Sequence, residues 1–84
     1  MITKIYTVYD SKAEAYLPPF YAPTDGSALR SFATAAQTPD HEFHKFASDY
    51  TLFAIGTFDD QSATIEYHTP RSLGVALEYK NSQQ

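Results

Sequence analysis

Few side chains in this sequence have the type and spacing that chemistry requires. His41 and His44 stand three residues apart, a spacing at which two imidazoles on one helical face can ligate a single metal. The sequence supplies no third ligand for them, and exposed histidines on either side of a buried Phe43 account for the pattern better. Asp59-Asp60 is a paired acid, but Asp59-Asp60-Gln61-Ser62 has the composition of a turn, and a solvated turn explains both carboxylates. Asp10, Glu14, Asp40, Glu42, Asp49, Glu66 and Glu78 are scattered, and none forms an evident acid–base or two-metal pair. The glycines at 26, 56 and 74 are isolated, so there is no phosphate-cradling loop. Cysteine is absent, and no serine or threonine sits in a nucleophile elbow. The expectation is a protein that is not an enzyme and needs no metal or cofactor.

Binding is the remaining kind of function, and composition narrows it. Six Lys and Arg against ten Asp and Glu give a net charge of −4. Duplex DNA binding draws on several phosphate contacts and is disfavoured; single strands can instead be held by stacking bases on aromatic rings. Seven tyrosines and six phenylalanines in 84 residues exceed what one small core can bury. Several rings are therefore expected at a surface or an interface, and a homodimer or higher homo-oligomer is expected with them. No apolar run approaches membrane-spanning length and no charged-then-apolar leader precedes the first strand, so no membrane role is expected.

The elements that would position these residues are those of a small α+β domain over residues 1–80, with a frayed polar tail over 81–84. Ile2 to Tyr9 is rich in β-branched and aromatic residues. Its two faces, Ile5, Thr7 and Tyr9 against Ile2, Lys4, Tyr6 and Val8, both carry apolar groups, which predicts a central or helix-covered strand. Tyr6 and Tyr9 read as cross-strand packing residues. Pro18-Pro19 removes two donors and stops any helix or central strand there, leaving Phe20 to Ala22 as a short extended piece. A helix capped by Thr24 or Asp25 follows to about Gln37, with Ala28, Leu29, Phe32, Ala33 and Ala36 on one stripe. Thr38-Pro39-Asp40 signals a second, short helical turn over His41–Ala47, placing Phe43 and Ala47 inward with Phe46 alongside. Tyr50 to Phe58 predicts a core strand with a bulge or close backbone approach at Gly56. A loop of four or five residues leads to a second strand over Ala63 to His68, with Ala63, Ile65 and Tyr67 inward. Thr69-Pro70 resembles a further helix start. A short helix over 70–79 is favoured there, and alternation of Leu73, Val75, Leu77 and Tyr79 offers a strand instead.

The segments VYDSKAEAYLPPF, ALRSFATAAQ, DYTLFAIGTFDD and TPRSLGVALEY, in that order from Val8 to Tyr79, carry a family resemblance. They resemble the small non-structural protein of gokushoviruses, the single-stranded-DNA microviruses that infect bacteria. The resemblance runs from Ile5 to Tyr79 and is most specific at Asp10–Glu14, Pro18-Pro19-Phe20 and Asp49–Phe53 with Gly56 and Phe58-Asp59-Asp60. It implies a role in the switch to single-strand synthesis and packaging in the host bacterial cytoplasm. The partner would be single-stranded DNA or the phage replication and packaging proteins; no catalytic motif comes with it. For direct DNA contact, Lys12, Arg30, Lys45 and Arg71 are the phosphate candidates, and Tyr16 and Phe20 the stacking candidates. The competing class is a protein–protein adaptor working through an aromatic patch without touching DNA.

Overall fold

A computed structural model of the chain describes residues 1–81. Strand β1 (Ile2–Asp10) is the centre of a five-stranded antiparallel sheet. One of its edges pairs with β4 (Tyr50–Asp59) along the whole strand. The other is shared by β2 (Ala15–Tyr16) at Tyr9 and Asp10 and by β3 (Phe20–Ala22) at Lys4, Ile5 and Tyr6. β5 (Thr64–Val75) closes the far side against β4. Helices α1 (Asp25–Ala36), α2 (Glu42–Lys45) and α3 (Ala76–Tyr79) contribute to one hydrophobic cluster with one face of this sheet. The expected small α+β fold, a sheet of N-terminal strand and hairpin on one main helix, is the observed one.

Local chemistry explains most boundaries. After β1, the Asp10 carboxylate accepts the N–H groups of Lys12 and Ala13 at 3.0 and 3.3 Å, and Glu14 takes a left-handed φ of 58°. Pro18 and Pro19 lie between the two short outer strands, where no ladder needs their missing donors. Thr24 caps α1: its Oγ1 accepts from Ser27 N at 3.1 Å, and Ser27 Oγ accepts from Thr24 N at 3.3 Å. Ala28, Phe32 and Ala36 on the predicted stripe are buried against Tyr6, Val8 and Leu52.

Three expectations are corrected. The second helical turn, expected over His41–Ala47, spans Glu42–Lys45, and Thr38 does not cap it, because its Oγ1 donates back to Thr34 O at 2.7 Å. His41 caps α2 in its place, its Nδ1 accepting from Phe43 N at 3.0 Å. Phe43 and Ala47 go inward as expected, but Phe46 is exposed. The larger difference is β5, which does not stop at His68. It runs through Pro70 to Val75, and only Ala76–Tyr79 is helical. Register shifts at Leu52/Phe53 and at Ala54/Gly56 absorb the extra residues, so pairing to β4 overrides the local helix-start signal at Thr69-Pro70. Lastly, Ala63 lies in the four-residue loop with φ 58°, and Ile65 and Tyr67 are exposed instead of inward. The tail expected over 81–84 lies outside the described residues from 82 onward. Among the described residues no helix is long and apolar enough to cross a membrane.

Candidate binding face

Strand pairing sorts the side chains onto two faces, since directly opposed residues share a side. Tyr6, Val8, Tyr50, Leu52 and Ala54 belong to the cluster that includes the helices. The opposite face receives Ile5, Thr7 and Tyr9 from β1, with Tyr16, Tyr21, Phe53, Phe58, Ile65 and Tyr67 from the strands around it. No helix covers that face among the described residues.

Its rings form two groups. Tyr9 packs on Tyr16 with centroids 4.8 Å apart, and Phe53 meets Tyr16 edge-on at 6.0 Å. Tyr21 meets Phe58 edge-on at 6.0 Å. Tyr16 is 53% exposed, Tyr21 52% and Tyr67 75%. Between the groups, Thr7, Tyr16, Leu17, Pro19, Ile55 and Pro70 line an apolar depression of about 290 Å³. Thr7 is buried there, and its hydroxyl donates to Leu17 O at 2.7 Å, so no unpaired polar group marks the floor. Two irregularities shape this face. Ile55 is the extra residue where the β1–β4 register shifts, and Gly56 lies so close to β5 that a Cβ would collide with the Glu66 carbonyl oxygen.

The charges are elsewhere. None of the strand residues that the register assigns to the aromatic face is Lys, Arg, Asp or Glu. Of the six sequence candidates, only Tyr16 stands on it. Phe20 is on the helix side, packed on Tyr6 with centroids 5.7 Å apart. Arg30 is exposed on α1 and Lys45 on α2, and Lys12 borders a hollow lined also by Asp10, Glu42, Asp49 and Tyr50. Arg71 reaches from β5 to α1, its guanidinium 2.9 Å from Asp25 Oδ2. The structure thus separates these cations from the rings of the aromatic face, although Lys12 shares its hollow with the exposed Phe46. The face residues absent from the candidate set are Tyr9, Tyr21, Phe53, Phe58 and Tyr67. Alternation signals Tyr9 within β1, but Phe53 and Phe58 are five residues apart, and only the extra residue Ile55 brings both to this face.

The helix side holds the perturbed groups. Tyr6 donates to Asp25 Oδ1 at 2.6 Å. That hydrogen bond first, then Arg71, holds the Asp25 carboxyl below its ordinary range, against the opposing effect of burial. Burial, and then the hydrogen bond to Asp25, raises the Tyr6 phenol. Burial, followed by its 2.9 Å hydrogen bond to Glu42, pushes Tyr50 up to about 12. His44 Nδ1 donates to Ala36 O at 2.8 Å, while His41 caps α2 and packs on Phe43. The two imidazoles therefore serve separate structural contacts. Among the described residues, no group of three His, Asp or Glu could hold a metal.

Fold and face together define a two-layer α+β domain with an uncovered aromatic sheet surface. The chain belongs to a phage protein family: residues 3–79 match the family model described as Phage ORF5 protein. No curated protein and no solved structure matches it.

Proposed function

We propose that this phage protein is a non-enzymatic single-strand binder of gokushovirus type. It would act in viral-strand synthesis and genome packaging in the cytoplasm of the infected bacterium. The observation that carries this is the uncharged aromatic face, where Tyr9, Tyr16 and Phe53 form a ring cluster beside an apolar depression. Exposed rings on an antiparallel sheet suit unpaired bases, each stacked base contributing about 1–3 kcal/mol without needing a cation on the platform. Tyr16 is the residue on which this reading depends most. Lys12, the candidate cation nearest it in sequence, is the first phosphate partner to test.

The absence of Lys and Arg from the face favours a second reading, an adaptor that grips a replication or procapsid protein through the same rings. Fluorescence anisotropy of a labelled single-stranded oligonucleotide at low salt separates the two. Binding that Tyr16→Ala weakens by about tenfold, while Arg30→Ala leaves it nearly unchanged, supports base stacking on this face. No binding up to high micromolar protein would end the DNA reading and leave the adaptor, whose partner a pull-down from infected cells would then seek.

A further inference from the structure

β5 is the outermost strand of the sheet, 12 residues long, and its residues from Thr64 to Ser72 are exposed. Such an edge presents unpaired N–H and C=O groups and is a template for another strand unless it is short, charged, broken by proline or bulges, or covered. It carries no lysine; His68, Thr69 and Pro70, which stand against Ile55 alone in β4, interrupt it, and regular edge remains on both sides of them. We infer that two copies of this protein pair antiparallel through β5, about a two-fold axis between His68 and Thr69.

Charge and facing select this register. Glu66 lies opposite Thr57, which lies opposite Lys4, itself paired with Ala22 on the helix side. Arg71 lies opposite Ala54 and reaches Asp25 of α1, so it is on the helix side too. Tyr67 and Pro70 both belong to the aromatic face, Pro70 as a wall of its depression. With the axis between His68 and Thr69, Glu66 of each copy stands opposite Arg71 of the other, and Tyr67 opposite Pro70. Both of these opposed pairs then share a face. Moving the register by one residue sets an aromatic-face side chain against a helix-side one, which the pleat forbids. The register shifts inside β5 bring Glu66 and Arg71, which differ in parity, to the same side. Arg71 donates to Asp25 through one nitrogen and keeps further donors for the second copy's Glu66. A proline at position 70 withholds one donor from the new ladder. The joined sheet carries both aromatic faces on one side, whether they hold DNA or protein.

Sedimentation velocity over a wide concentration range tests this. The wild-type protein is expected to dimerise, and Glu66→Arg to raise the dimer dissociation constant about tenfold by setting like charges opposite each other twice. Arg71→Glu should weaken it likewise. An equimolar mixture of the two variants should dimerise again, because only the mixed pair sets opposite charges face to face. Should Arg71→Glu fail to fold, amide exchange of the wild type decides, with Thr64–Ser72 protected more strongly as concentration rises. A protein monomeric at every concentration overturns the inference, as does a dimer indifferent to Glu66→Arg.

Discussion

Tyr6 shows how one side chain joins three elements. It is fully buried on β1, stacks on Phe20 of β3 and donates a hydrogen bond from its hydroxyl to Asp25 at the start of α1, which in turn holds Arg71 of β5. Phenylalanine in its place keeps the ring and removes the charge-assisted hydrogen bond. Tyr6→Phe should lower stability by about 1.5–3 kcal/mol in urea denaturation. The pH dependence carries a sign. A carboxyl whose folded pKa is depressed stabilises the fold above the unfolded value and loses that contribution as pH falls through the folded one. Tyr6→Phe removes the largest cause of that depression, so its stability should fall less than that of the wild type on acidification below the ordinary carboxylate range. Equal acid limbs for the two proteins would show that Tyr6 does not set the Asp25 titration.

At the scale of elements, the β4–β5 pair is where the chain departs from regularity. Gly56 is the tightest point: with a Cβ it would meet the Glu66 carbonyl oxygen, and Glu66 C and Tyr67 Cα would each stand at 3.3 Å. These are backbone atoms of a paired strand and cannot swing aside as a flexible side chain can. Gly56→Ala should therefore force the strands apart locally and lower stability by about 1–3 kcal/mol, read from the urea midpoint. An unchanged midpoint would mean that β5 yields at this position without loss. The same pairing explains why β5 outlasts its own local signals. The bulges let β4 hold β5 to Val75 despite Pro70, and the helix expected after the proline is confined to Ala76–Tyr79.

For the molecule as a whole, the partition of charge matters more than its sum. Arg30, Lys45 and Arg71 lie on the helix side, and the aromatic face is uncharged along its strands. A single strand stacked on that face can reach few cations. Its affinity should accordingly fall only gently with salt, with a slope no steeper than about −1.4 in log K against log salt, equivalent to roughly two phosphates. Anisotropy titrations at several salt concentrations measure it. A much steeper slope would place the DNA path across the helix side, through Arg30 and Lys45.

The strand β1, the helix α1 with a cap at Thr24 or Asp25 and its inward stripe, the core strand β4 and a hairpin loop of four or five residues were all legible in local sequence. Each depends on neighbours in the chain: a capping hydroxyl, a helical period, a β-branched run, a turn composition. Cross-strand packing of Tyr6 and Tyr9 followed from the same alternation, and the contacts with Phe20 and Tyr16 bear it out. Alternation says that a strand has two faces, but not which of them a helix will cover. Only the tertiary structure put Phe20 and Tyr16 on opposite sides of the sheet, exposed Ile65 and Tyr67, and tied Arg71 to Asp25 across 46 residues of chain. It also decided the length of β5, because a ladder edge supplied by β4 outweighed a helix-start signal that the local sequence carries in full.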